Sequence, residues 1–100
     1  MAPALCIRIA TGDPLFFAAV RDIALALTLS ADRFEGTLAE FELLVVDAAT
    51  VDDLPALLHV DPMRTVLVTP DERAPAQEVA WWLPRRRLPY ELDGIFRAYL

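Results

Sequence analysis

The stretch FELLVVDAA, residues 41 to 49, is an apolar run that stops at one acid, Asp47. A short apolar run bounded by polar residues is typical of a strand buried on both faces of a parallel sheet. Two other segments share this pattern, ALCIRIA at 4–10 and RTVLVT at 64–69. Asp47 is therefore either a chemical group at the mouth of a sheet or simply the polar residue that ends a strand.

The segments between these strands favour helices. After the turn at Thr11–Asp13, apolar residues recur every three or four positions from Leu15 to Leu27, and Asp13 and Pro14 suit a helix cap and first helical position. Residues 25–30 fit either the end of this helix or a short second strand. The other predictions are a short helix or turn at 32–40, helices at 51–59, 74–82 and 90–100, and an edge strand at 85–88.

Alternating strands and helices predict an α/β fold, a parallel sheet with helices on both faces. The functional crevice of such a sheet lies beyond the carboxyl ends of its strands. We therefore expect Thr11, Gly12, Asp13, Asp47 and Thr69 to converge there.

Composition limits the class of protein. One hundred residues, 56% of them hydrophobic, predict a single domain over residues 1–100 with an apolar core and some apolar surface left for an interface. No apolar stretch reaches the roughly 18 to 20 residues of a membrane span. The N-terminus lacks a secretion signal and Cys6 is the only cysteine, so we expect a cytoplasmic protein. The net charge of −6 argues against direct nucleic-acid binding.

Three segments, ELLVVDA, TVLVTPDE and LPYELDGIF, occur in an order and spacing that resemble the receiver domain of bacterial response regulators, the CheY-like or flavodoxin-like fold. The resemblance covers nearly the whole chain. It implies that Asp47 occupies the phosphoacceptor position, that Thr69 is the family's Ser/Thr, and that Pro89 and Tyr90 open the last helix. The segments on either side of Asp47 are short for the family, which implies shortened elements around the second strand.

The chain departs from this family at the residues that carry the chemistry. Receivers hold Mg²⁺ with an acidic pair after the first strand, where this sequence has Thr11 and Gly12, with Asp13 one residue further on. The family's lysine is replaced by Leu88. Magnesium prefers carboxylate ligands, and phosphoryl transfer depends on neutralising negative charge. The resemblance therefore implies a pseudo-receiver that binds no Mg²⁺, is not phosphorylated, and is the receiver part of a larger regulator.

Two alternatives use the same crevice. In the first, Asp47 is a working phosphoacceptor with a rearranged metal site, to which Asp13 contributes instead of capping the helix. In the second, the small turn at Thr11–Gly12 binds a small ligand or nucleotide at a helix N-terminus. His59 is the only histidine and Cys6 is expected to be an inert core thiol, so the sequence contains no catalytic triad or metal-spaced cluster, and we expect no enzymatic activity.

The segment WWLPRRRLPY, residues 81–90, has the most unusual local composition. Adjacent tryptophans cannot both face the core, so at least one is expected to be partly exposed. Tryptophan, tyrosine and arginine are enriched at interface hot spots. In the resemblance, this segment covers the fourth helix, the fifth strand and the start of the fifth helix. We expect a homodimer or a signalling partner to dock here; the alternative is a solvated arginine cluster offset by Glu78, Glu91 and Asp93. The interface candidates are Trp81, Trp82, Arg85, Arg86, Arg87 and Tyr90.

Overall fold

Five parallel strands form one sheet in the order β2-β1-β3-β4-β5. The computed structural model describes residues 5–76 and 78–100. This strand order is that of flavodoxin-like sheets, so the predicted α/β fold class with an all-parallel sheet is confirmed. The strands are β1 (Cys6–Ala10), β2 (Ser30–Arg33), β3 (Glu42–Asp47), β4 (Thr65–Thr69) and β5 (Trp81–Pro84).

The helical segments are mostly short. The α-helices are α1 (Pro14–Ala26), α2 (Ala48–Asp53) and α3 (Asp93–Ala98), and a π-helical turn at Leu88–Leu92 leads into α3. Single 3₁₀ turns occupy Pro55–His59, Pro62–Arg64 and Arg85–Arg87. Within the described part of the chain, no helix has both the length and the hydropathy needed to cross a membrane.

Helix α1 begins and ends for identifiable local reasons. The Asp13 carboxylate accepts a hydrogen bond from the Leu15 N–H at 2.9 Å, and Pro14 occupies the first helical position. The chain leaves the helix after Ala26 and takes a left-handed conformation at Thr28, with φ at 59°. This reversal directs it into β2, so residues 25–30 contain the helix end and only the first residue of the second strand.

The buried residues of the strands alternate between two hydrophobic clusters, because successive side chains of a strand point to opposite faces. In β3, Leu43 and Val45 belong to the larger cluster and Val46 belongs to the smaller one. Burial of both kinds of position explains why this strand is a continuous apolar run. Other members of the larger cluster are Ile7, Ile9, Phe16, Val20, Val66, Val68, Leu83 and Phe96; the smaller one also contains Val51, Leu58 and Leu67.

The predictions for the chain after β4 were wrong in two places. The described residues between β4 and β5 form neither helix nor strand, so the helix predicted at 74–82 is not observed there. Trp81 and Trp82 instead open β5, consistent with the β-propensity of aromatic residues and with two prolines, Pro70 and Pro75, in the connection. The edge strand predicted at 85–88 is not observed: β5 ends at Pro84, Arg85–Arg87 form a 3₁₀ turn, and Leu88 begins the π-helical turn.

Two other segments also differ from the prediction. A short helix or turn was expected at 32–40. Its first two residues, Asp32 and Arg33, instead belong to β2 and pair with β1. The helix expected at 51–59 is interrupted at Leu54, whose φ of −133° and ψ of 71° are not helical. Pro55 explains this break, because a proline disfavours the α conformation of the residue before it.

Replacing Phe96 with alanine tests the position of the core. Phe96 is fully buried, so we expect Phe96→Ala to lower the free energy of unfolding by about 3–5 kcal/mol. Phe41→Ala is the matched control, because the Phe41 side chain is 45% exposed and should lose less than half as much. Urea unfolding followed by circular dichroism measures both; equal losses would contradict the described core.

Candidate functional site at the carboxyl edge of the sheet

Two of the predicted site residues line one cleft at the carboxyl edge of the sheet. Asp47 is the last residue of β3 and Thr69 the last of β4, and these neighbouring strands bring both residues to a cleft of about 170 Å³. We call this the Asp47 cleft; Asp52 and Arg85 also line it. Thr11 and Gly12 line a different cleft, on the side of α2 where Thr50 and Asp53 lie.

A short chain of hydrogen bonds joins Asp47 to the turn after β1. Asp47 is 8% exposed, and its Oδ1 accepts a hydrogen bond from the Thr50 hydroxyl. The Thr50 oxygen in turn accepts a hydrogen bond from the Gly12 N–H at 3.3 Å. Thr50 was not singled out from the sequence, although its position three residues after the strand-end acid places it one helical turn away. Through Thr50, the Asp47 carboxylate is connected to the β1–α1 turn.

Each carboxylate oxygen of Asp13 accepts a hydrogen bond from a different partner. Its Oδ1 caps α1, and its Oδ2 accepts a hydrogen bond from the Arg85 guanidinium at 2.8 Å, across 72 positions of sequence. The Arg85 guanidinium, followed by the Leu15 N–H, holds the pKa of Asp13 below its usual range. Asp13 is therefore an ionised carboxylate that already has donors for both of its oxygens.

Arg85, which sequence reasoning assigned to an interface, is the cation that lines the Asp47 cleft among the described residues. It directly follows β5, lies over the Phe16 ring at 5.6 Å and lines the Asp47 cleft. Leu88, at the position that the resemblance gives to the family's lysine, is 5% exposed and belongs to the larger hydrophobic cluster. No sequence signal marks Arg85 as a cleft residue, because two more arginines follow it and only the end of β5 distinguishes the three.

The hydroxyls of the two threonines predicted from the sequence, Thr11 and Thr69, bond to nearby backbone. Thr69 donates its hydroxyl proton to the carbonyl of Asp71 at 2.7 Å, and a second carbonyl, that of Leu83, lies at 3.4 Å. The Thr11 hydroxyl accepts a hydrogen bond from the Asp13 N–H at 3.0 Å. Side-chain bonds of this kind stabilise local turns.

The two tryptophans of the interface segment face opposite sides of β5. Trp81 is 36% exposed; its indole N–H donates to the Tyr99 hydroxyl at 2.8 Å, and the two rings meet edge to face. Trp82 is half-buried against the smaller hydrophobic cluster. Only Trp81 therefore contributes an exposed indole to a surface shared with α3.

The remaining interface candidates follow β5 and carry charge or an exposed ring. Arg86 forms an ion pair with Glu72, and Arg87 pairs with Glu91 at 2.6 Å. Tyr90 is 81% exposed. The six interface candidates thus do not form one continuous surface: Arg85 turns into the Asp47 cleft, Trp82 packs inward, and Arg86 and Arg87 are paired with acids.

Comparison of the chain with family models, with curated proteins and with solved structures finds no match in any of the three. The receiver resemblance therefore depends on the sequence motifs and their spacing. Across residues 5–76 and 78–100, no group of three histidine, cysteine or acidic side chains is placed to hold a metal ion.

The Asp13–Arg85 ion pair makes a prediction about acid titration. A carboxylate with a lowered pKa stabilises the fold above its unfolded pKa of about 3.9, and this contribution is lost as the pH falls through the folded pKa. In a ¹³C carboxyl NMR titration we expect Asp13 to titrate below its usual range, and Arg85→Gln to move its midpoint upward. Arg86→Gln is the matched control and should leave Asp13 unchanged; the same shift in both variants would contradict the pairing.

Proposed function

We propose that this chain is a phosphorylation-independent pseudo-receiver that acts in the bacterial cytoplasm as a protein-interaction module in signal transduction or transcriptional control. It has no enzymatic activity of its own in this proposal. The observation that carries it is the ion pair between Asp13 and Arg85, beside the cleft that Asp47 lines. A phosphorylation switch would need these two charged groups, and here they are bonded to each other.

The charge balance of the Asp47 cleft supports the absence of phosphorylation. The charged residues that line it are two acids, Asp47 and Asp52, and one cation, Arg85. A phosphoryl group on Asp47 would add negative charge beside Asp52, while Arg85, the one cation among the described lining residues, is bonded to Asp13. Phosphoryl transfer needs such charge to be neutralised by metal ions or cations, so this cleft is poorly suited to it.

One observation favours the alternative, a phosphoacceptor switch. Arg85 lines the same cleft as Asp47 and Thr69 and supplies a cation near the phosphoacceptor position, although Leu88 has replaced the family's lysine. If Arg85 exchanged Asp13 for a phosphoryl group, Asp13 would be released toward a metal ion. The same experiment distinguishes the two functions.

The interaction surface is proposed to be the outer edge of β5 with the adjoining end of α3. β5 pairs only with β4 in the described chain, so it is an edge strand, and we propose that its outer side pairs with a strand of a partner. No helix covers this edge from the β4–β5 connection within the described residues, so the surface differs from the helix–strand–helix face expected from the resemblance. Trp81 and Tyr99 add exposed aromatic rings beside it.

A second copy of the chain is the partner that best fits this edge. Two β5 strands related by a twofold axis would pair antiparallel, and each copy would satisfy the other's outer backbone groups. The high apolar content of the chain is also consistent with a surface that is covered in a dimer.

Phosphorylation is tested by incubating the protein with acetyl phosphate, or with beryllofluoride, in the presence of Mg²⁺. We expect no phosphoryl adduct in the intact mass and no saturable change in tryptophan fluorescence, because Arg85, the cation among the described residues of the cleft, is already paired with Asp13. Asp47→Asn is the control variant. An adduct or a saturable response that disappears in this variant would contradict the pseudo-receiver and establish Asp47 as a switch.

Dimerisation is tested by sedimentation equilibrium of the wild-type protein and of Trp81→Ala. We expect Trp81→Ala to raise the dimer dissociation constant at least about tenfold, because truncating a hot-spot tryptophan costs on the order of 2 kcal/mol. Leu25→Ala is the control, since Leu25 is an exposed residue on α1. A wild-type protein that stays monomeric, or a variant that dimerises equally well, would contradict this surface.

A further inference from the structure

Arg85 reaches across the carboxyl edge of the sheet to bond to Asp13. Arg85 follows β5 and Asp13 lies in the turn after β1, and the strand order places β4 and β3 between these two strands. The Arg85 guanidinium donates to Asp13 Oδ2 at 2.8 Å, so the pair spans the ends of β3 and β4, where Asp47 and Thr69 lie.

Asp47 points toward the same face of the sheet as this pair. Side chains of a strand alternate between faces, so Asp47 shares its face with Val45, a member of the larger hydrophobic cluster. Phe16 belongs to the same cluster, and Arg85 lies over its ring at 5.6 Å. Arg85 also lines the Asp47 cleft. The Arg85 guanidinium thus has two carboxylates on its side of the sheet, Asp13 and Asp47.

The two carboxylates differ in how well water screens them. The side chain of Arg85 is 49% exposed and that of Asp13 is 35% exposed, and an ion pair of this exposure contributes little to stability. Asp47 is 8% exposed, so a cation beside it would be screened less. Among the hydrogen bonds between described residues, the Asp47 carboxylate takes part through Oδ1 alone, which leaves Oδ2 for a second donor.

We propose that Arg85 is a two-position switch, bonded to Asp13 in this structure and transferred to Asp47 when Asp13 loses its charge. In the first position the Asp47 carboxylate faces the cleft; in the second the guanidinium covers it, and the start of α1 loses its link to the end of β5. A basic side chain of a partner that bonded to Asp13 would release Arg85 in the same way. The switch uses neither a phosphoryl group nor a metal ion, and it does not depend on the receiver resemblance.

The substitution Asp13→Asn tests the switch, because asparagine caps a helix as well as aspartate does but carries no charge. Coupling between Arg85 and Asp47 is measured with Arg85→Gln, Asp47→Asn and the double variant, each made with aspartate and with asparagine at position 13. Urea unfolding gives the factor by which the two substitutions depart from additivity in the unfolding equilibrium constant. We expect a factor below about two with aspartate at position 13 and of at least about five with asparagine there.

Two control cycles assign the coupling to this pair of residues. Glu72→Gln releases Arg86, the next arginine in the sequence, and should create no coupling between Arg86 and Asp47. Asp52→Asn replaces Asp47→Asn in the second control, because Asp52 also lines the cleft. The proposal is overturned by no coupling with asparagine at position 13, by equal coupling in both backgrounds, or by coupling as large in either control.

The position of Arg85 is also measured directly by NMR. In Asp13→Asn we expect nuclear Overhauser effects between Hε of Arg85 and the Hβ protons of Asp47 that the wild type lacks, and their absence would overturn the proposal. This measurement needs only one variant, so it decides even where a variant of the cycle does not fold. Neither test involves phosphorylation or dimerisation, so a failed switch would leave the proposed interaction function unaffected.

Discussion

β3 is the central strand of the sheet, and its burial constrains the elements around it. Its residues from Leu43 to Asp47 are each at most 8% exposed, so the strand needs a paired neighbour on both sides and apolar cover on both faces. β1 and β4 supply the pairing, and the two hydrophobic clusters supply the cover. Asp47 stands where this burial ends, which is why an acid at the end of the strand reaches a cleft instead of the core.

The parts of the fold that sequence reasoning predicts are those with a local physical cause. The strands β1, β3 and β4 are apolar runs, and α1 starts at an Asp-Pro step that caps it. β2 has no such pattern, because SADR is a polar edge strand that exists through its pairing with β1. The Trp81–Trp82 pair was assigned to a helix for a similar reason: its strand state is decided by pairing with Val66 and Leu67, which are distant in sequence.

The candidate site likewise contains residues that local sequence identifies and residues whose role depends on distant parts of the chain. Asp47, Thr69 and Asp13 are identifiable because each follows or ends a strand that the sequence predicts, and the capping role of Asp13 needs only its neighbours. Arg85 could not be separated from Arg86 and Arg87, because its role depends on where β5 ends and on an acid 72 positions away. The segment LPYELDGIF suggested Leu88 as a site position, but the Leu88 side chain is buried in the larger hydrophobic cluster.

The all-parallel sheet also has a consequence for how the chain is made. Every neighbouring pair of strands is joined by a crossover, so no two of them can close as a local hairpin. During synthesis β1 leaves the ribosome before β3, so the edge of β1 that pairs with β3 is unpaired until residue 47 has emerged. The other edge of β3 is then unpaired until β4 has emerged. Non-local pairing of this kind is slow and leaves strand edges and apolar surface exposed meanwhile. The vulnerable species for this protein is therefore the half-synthesised chain, and its aliphatic central strand is the segment that a chaperone would have to shield.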